Sequence, residues 1–312
     1  MRIGIDLGGT KTEAIAVHAD GTELSRKRRP TPQGDYRGIL QTVADLIGAL
    51  EQDSEAKGTI GVGTPGSLSP RTGLMRNSNS TVLNGRPFDR DLAEFLGCPV
   101  RVANDANCFA LSEAIDGAAR QAATVFGVIL GTGVGGGLVA DRKLLVGHNG
   151  VAGEWGHNPI PFAIDPDTQP RPCFCGRTNC IETFLSGGAL AKDHLARTGK
   201  LVQAEDIAAL SAKGDPEATR SLDIYVDRLA QALAVVVNIF DPDAIVLGGG
   251  VSNIGQLYER LPPLLDRYAF SDGVTTKVLR AAYGDSSGVR GAAWLWPETA
   301  PKAFSQPDLG SP

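Results

Sequence analysis

The spacing of hydrophobic positions changes several times along this chain, and each change marks an element. Residues 2–7 alternate as a strand does, Gly8-Gly9 interrupts them, and Thr12 to Val17 resumes with β-formers. This predicts an opening hairpin whose glycine turn carries Thr10 and Lys11. Asp20-Gly21 then turns the chain into a further extended segment, Glu23 to Arg29. Ile39, Val43, Leu46 and Leu50 recur at helical spacing, so roughly 35–52 is predicted as an amphipathic helix. Thr59 to Val62 predicts a buried strand ending in Gly63-Thr64-Pro65-Gly66-Ser67, a turn with exposed backbone donors. Pro99 to Ala103 predicts another, which delivers Asn104-Asp105-Ala106-Asn107 to its C-terminal end, and residues from Ala106 suit a helix up to Gly117.

The opening pattern then recurs about a hundred and twenty residues on, a weak internal repeat that points to two related domains. Thr124 to Leu130 is strand-like, Gly131-Thr132-Gly133-Val134-Gly135-Gly136-Gly137 follows, Leu138 to Ala140 resumes the strand pattern, and Asp141-Arg142-Lys143 turns into Leu144 to Val146. Helical stretches follow near 188–197 and 204–212. Asp215 as N-cap with Pro216 at the first position starts a long helix with an apolar face of Leu222, Val226, Leu229, Leu233, Val236 and Phe240. Asp241-Pro242 ends it, and Ala244 to Leu247 is a strand running into Gly248-Gly249-Gly250. Pro262-Pro263 is expected to break or restart the next helix. Gly288 to Trp296 reads as a last helix that packs back on the first domain, and residues after Pro297 as a disordered tail.

With 42% hydrophobic and 21% charged residues, the 312-residue chain falls among ordinary globular proteins and is long enough for two domains with separate cores. A net charge of −5 gives no footprint for nucleic acid or an anionic membrane. The one basic run, Arg26 to Arg29, reads as a solvated strand end. No signal peptide is visible after Met1, and the longest apolar run, Ala232 to Phe240, is too short to span a bilayer. Five cysteines, an odd number, argue for a reducing, cytoplasmic setting and metal binding rather than disulfides, with Cys98 and Cys108 as small core residues.

Three of those cysteines carry the most specific chemistry. His157, Cys173, Cys175 and Cys180 lie within one short segment whose prolines, from Pro159 to Pro172, deny it a helix or a sheet ladder. Three sulfurs and one nitrogen make a closed tetrahedral Zn²⁺ site of the structural kind. Inert buried thiols and a surface histidine are the alternative. Such a clamp would fix Glu154 and Glu182, whose carboxylates suit the hydroxyls of a polar ligand. Gly131 to Gly136 fits G-x-G-x-x-G, but here the last glycine opens a strand rather than a helix, which disfavours a dinucleotide fold. The turns at Asp6 to Lys11 and at 131–133 remain as places where backbone N–H groups can approach phosphates, or else as plain hairpin turns.

Asp6 to Lys11, Asn104 to Asn107, Gly131 to Gly137, Glu154 with His157, the three cysteines with Glu182, and Ala244 to Gly250 together resemble the ROK family of bacterial sugar kinases and repressors, from Met1 to about Pro297. The resemblance implies an α/β, two-lobed actin/hexokinase-like (ribonuclease H-like) fold with a zinc-bound loop. Residues 1–117 with a C-terminal helix at about 288–297 would form the smaller lobe, 118–287 the larger, and 298–312 the tail. Segments 63–70, 77–81, 84–89 and 284–297 look like the fructokinase branch, which implies ATP-dependent conversion of fructose to fructose 6-phosphate. N-acetylglucosamine, mannose or glucose are the alternative sugars.

Residue by residue, the resemblance implies that Asp105 is the general base and that Gly66, Asn79, Asn104, Asp105, Glu154, His157 and Glu182 hold the sugar. Asp6 would help place Mg²⁺, and Gly8, Gly9, Thr10, Lys11, Gly131, Thr132, Gly133, Gly249 and Asn253 would meet ATP. His157 would serve twice, with one ring nitrogen on zinc and the other facing the sugar. A hexose is the expected partner, with no nucleic acid or membrane, in a homodimer. A sugar-sensing repressor would need a DNA-binding segment before the first hairpin. His18, His148 and His194 are expected at the surface or as satisfied buried residues, Trp294 and Trp296 in helix packing, and Arg290 in a local cap or pair.

Overall fold

The computed structural model describes residues 1–163 and 169–297. The opening hairpin is β1 (Arg2–Leu7) and β2 (Lys11–Val17), continued by β3 (Glu23–Pro30). After α1 (Tyr36–Ser54) come β4 (Thr59–Thr64), the small hairpin β5 (Ser67–Leu68) and β6 (Met75–Arg76), α2 (Phe88–Leu96), β7 (Val100–Asn104) and α3 (Asp105–Ile115). The chain resumes with β8 (Thr124–Leu130), β9 (Val134–Ala140) and β10 (Lys143–Leu145), then α4 (Glu182–Leu185), α5 (Gly187–Thr198), α6 (Ala204–Ala212) and α7 (Pro216–Phe240). It closes with β11 (Ala244–Gly248), α8 (Gln256–Tyr268), β12 (Lys277–Arg280) and α9 (Ser287–Ala293).

The repeat seen in the sequence is a repeat of topology. One sheet runs β3-β2-β1-β4-β7 and the other β10-β9-β8-β11-β12. In each, three strands pair antiparallel in chain order, and two more join parallel on the far side of the first. Each sheet has its own core: Ile3, Ile5, Val43, Leu46, Leu50 and Phe88 in the first, Phe126, Val128, Phe184, Leu229, Leu233 and Leu261 in the second. A third cluster joins α3 (Phe109, Leu111, Ala114) to Val125, Val139, Val246 and Trp294.

Two helices therefore lie between the sheets: α9 packs on β1 and β4, α3 on β8 and β9, and each on the other. Their contact is as close as backbones allow, since a Cβ on Gly291 would fall 1.6 Å from the Cys108 carbonyl oxygen. Gly291→Ala must push the helices apart, and a loss of about 3 kcal/mol is expected from overpacking. A thermal melt tests this, and an unchanged Tm would mean that the interface yields.

Most predicted elements are present, with a few differences. The helix at 256–268 runs straight through Pro262 and Pro263. Leu257, Leu261 and Leu265 bury one face, while both prolines sit on the solvent side, where the carbonyls they leave without an N–H partner face solvent rather than the core. The last helix stops at Ala293 rather than Trp296. His194, as expected of a satisfied buried histidine, meets Ser221 Oγ at 2.8 Å, whereas of the two expected core cysteines Cys108 is fully buried and Cys98 only half-buried. Arg290 does not pair locally: it meets Asp116 at 2.5 Å and the Gly21 carbonyl at 2.7 Å, both far away in sequence. The tail at 298–312 lies outside the described residues. Among the described residues, no helix is long and apolar enough to cross a membrane.

Candidate functional site

Asn104 ends β7 and caps α3, accepting a 2.9 Å hydrogen bond from the Ala106 N–H with its Oδ1. Its Nδ2 donates to the Gly66 carbonyl at 3.2 Å, which ties the turn after β4 to the start of the helix. Gly66 has φ +78°, and a Cβ there would lie 2.4 Å from the Arg76 carbonyl oxygen, so only glycine makes this turn. Asp105, the first residue of α3, is thereby held at the mouth of a cleft between the two halves.

Two cavities meet at that carboxylate. One, of about 950 Å³, is walled by Gly66, Asn79, Asn104, Asp105, Glu154 and His157 among others. The second, of about 420 Å³, is walled by Asp6, Gly8, Gly9, Lys11, Gly249 and, again, Asp105 and Asn79. Asp105 is open to the cleft on one side and enclosed on the others. That enclosure raises its carboxyl above the usual range, the Ala106 N–H opposes the rise, and Glu154 adds to it. Burial pushes Asp6 up to about 6, Asp105 and Glu13 add to the rise, and Lys11 opposes it. Three carboxylates thus converge where a cation and hydroxyl groups would be favoured.

His157, Cys173, Cys175 and Cys180 come together as read, with their ligand atoms all within 4.8 Å of one another. Cys173 Sγ lies 3.5 Å from His157 Nδ1, and Cys175 Sγ lies 3.6 Å from Cys180 Sγ. A tetrahedral zinc with bonds of about 2.3 Å to sulfur has edges of about 3.8 Å, so the donor set has the size and chemistry of such a site. Nδ1 is the ring nitrogen beside the thiols, and His157 also forms part of the wall of the larger cavity.

Glu182 connects this cluster to the glycine turn. One of its oxygens lies 3.9 Å from Cys173 Sγ, and the other accepts from the Val134 N–H at 3.0 Å. Glu182, Thr10, Gly131, Thr132, Gly133 and Asn253 stand outside the walls of the two cavities. Conversely, Trp155, Phe174 and the end of α7 (Val235, Ile239, Phe240) line the larger cavity and were not anticipated. A signal for the α7 residues exists in the sequence, because that helix becomes apolar all round in its last turns and Ile239 is left 81% exposed.

The chain is similar to known proteins over nearly its whole length. It is 38% identical over 301 residues to an N-acetyl-D-glucosamine kinase of Haemophilus influenzae, covering 95% of this chain and 99% of that one. It is 38% identical over 299 residues to an N-acetyl-D-glucosamine kinase of Yersinia pseudotuberculosis, covering 95% and 98%. Among solved structures it superimposes on a ROK hexokinase from Thermus thermophilus with a TM-score of 0.82 and 33% identity, covering 94% and 97%. A ROK family glucokinase from Streptomyces griseus, in complex with glucose and AMPPNP, gives 0.72 and 29%, with the same coverage.

These relatives overturn the fructokinase assignment, since the kinases 37–38% identical along nearly the whole chain are named for N-acetylglucosamine. Of the four branch-like segments, 63–70 and 77–81 do reach the larger cavity, through Gly66, Ser67, Asn77, Ser78 and Asn79, whereas 84–89 lead into α2 and 284–297 hold α9 and its flanks, away from its walls. Residues 2–299 match the ROK family, and the chain belongs to it.

Proposed function

We propose that this protein is an ATP-dependent hexose kinase acting on N-acetylglucosamine. The observation that carries the proposal is the shared wall. A cavity lined by amides, acids and an imidazole meets a cavity lined by glycines and Lys11, and Asp105 stands at the junction. The names of the relatives supply the sugar and the nucleotide.

In this reading Gly66, Asn79, Asn104, Glu154, His157 and Glu182 hold the sugar. The turns at 8–11 and 131–133 receive the triphosphate, Gly249 and Asn253 receive the adenosine side, and Asp6 serves Mg²⁺. His157, Cys173, Cys175 and Cys180 would hold a structural Zn²⁺ that keeps the loop in place. The sugar hydroxyl oxygen attacks the γ-phosphorus, the bond to the β–γ bridging oxygen breaks, ADP leaves, and the hydroxyl proton passes to Asp105. Because the transition state is loose, positioning and charge neutralisation do most of the work. Mg²⁺, when bound, neutralises the developing charge on the phosphates.

The test is a coupled ADP-release assay across N-acetylglucosamine, glucose, mannose and fructose. N-acetylglucosamine is expected to lead in kcat/KM by at least about tenfold, the scale of one substrate group recognised in a pocket. Equal use of glucose would favour the second reading, a broader hexokinase, which the similarity to the Thermus enzyme supports. Turnover of none of the four would refute both.

A further inference from the structure

We propose that Glu113 is the pin about which the two halves of this kinase close. The chain passes between the halves twice, from α3 into β8 through 116–123 and from β12 into α9 through 281–286. Glu113, in the last turn of α3, is fully buried. Its carboxylate accepts from the Ala118 N–H at 2.8 Å on the first passage. On the second it accepts from the Ala282 N–H at 3.1 and 3.0 Å and from Ser287 Oγ at 2.7 Å. One side chain holds both crossings.

The chemistry suits a pivot. A buried carboxylate is tolerable only when fully hydrogen-bonded, and here donors from both passages satisfy it. Two oxygens offer about four lone-pair directions, so donors can swing around the group without leaving it. A second tie lies alongside: Arg290 meets Asp116 at 2.5 Å and stacks over Tyr283 at 4.1 Å, and the Tyr283 hydroxyl donates to the Asp116 carbonyl at 3.0 Å. Asp105 and Glu113 share α3, at its start and near its end, separated by roughly 12 Å of helix rise. A helix that turns about its pinned end therefore sweeps Asp105 through the cleft, which makes Glu113 a positioning residue.

The inference rests on the sugar-kinase reading but not on which sugar is used. In Glu113→Gln one acceptor oxygen becomes an amide donor facing N–H and O–H groups, so part of the pin is lost without change of shape. The measurements are kcat, the dissociation constant for N-acetylglucosamine without nucleotide, and the change in radius of gyration by X-ray scattering on adding the sugar with AMPPNP. A kcat lower by about 10²-fold is expected, the scale of a misplaced catalytic group, with sugar affinity within about twofold of wild type. The ligand-induced contraction of the wild type should be lost. Full contraction in folded Glu113→Gln overturns the proposal, whatever happens to kcat. Should that variant fail to fold, Ser287→Ala, which removes one donor, decides: reduced contraction supports the pin and wild-type contraction overturns it. Wild-type protein that phosphorylates no sugar would instead defeat the kinase reading, while the scattering comparison still reports on the pin.

Discussion

Replacing Asp105 by asparagine is expected to lower kcat by about 10²- to 10⁴-fold, the usual scale of a general base. The amide keeps an acceptor toward the sugar hydroxyl, so sugar affinity should change little. What disappears is the group that takes the proton once the bond to phosphorus is forming. The wild-type pH profile provides a second check. Enclosure and Glu154 raise the Asp105 carboxyl above the ordinary carboxylate range, and only its ionised form accepts a proton. Activity should therefore fall as pH drops through that raised value, and in the asparagine variant the part of the acid limb due to Asp105 should be lost, leaving only the contribution of Asp6. Single-turnover kinetics with saturating sugar measures both. Near-wild-type turnover in the variant would remove Asp105 from the mechanism.

Metal removal is the other large effect. His157 belongs both to the thiol cluster and to the wall of the larger cavity, and Glu182 accepts from the Val134 N–H beside the glycine turn. Stripping the ion would release both at once. About one zinc per chain is expected in the purified protein. Chelation should reduce kcat/KM by at least 10- to 100-fold, the range seen when groups supporting a metal site are lost. Because the two cores are built elsewhere, far-UV circular dichroism should change only at higher chelator concentration. Metal-free protein with full activity would show that the cluster has no part in catalysis.

The fold was legible where local patterns determine the structure. Ile39, Val43, Leu46 and Leu50 announced α1, and all four are buried. The repeated strand–glycine–strand signature pointed to two related halves, and the structure has two sheets of matching strand order. The cysteine segment foretold its own convergence, because four soft ligands so close in sequence have few other reasons to meet. Long-range partners were not legible. Nothing near Arg290 names Asp116, which lies 174 positions away, and nothing near Glu113 names Ser287. Pro262-Pro263 failed for a related reason, since proline breaks a helix only where the freed carbonyls cannot find water. Sugar preference failed because two of the segments it was read from, 84–89 and 284–297, lie outside the walls of the larger cavity, and the other two enter it through only a few residues.

The position of α9 also has a consequence for synthesis. It covers β1 and β4 of the first sheet, yet it follows them by more than two hundred residues. Until residues 287–293 are available, the face of the first sheet that α9 covers lacks its native partner, so that half cannot complete its packing on its own.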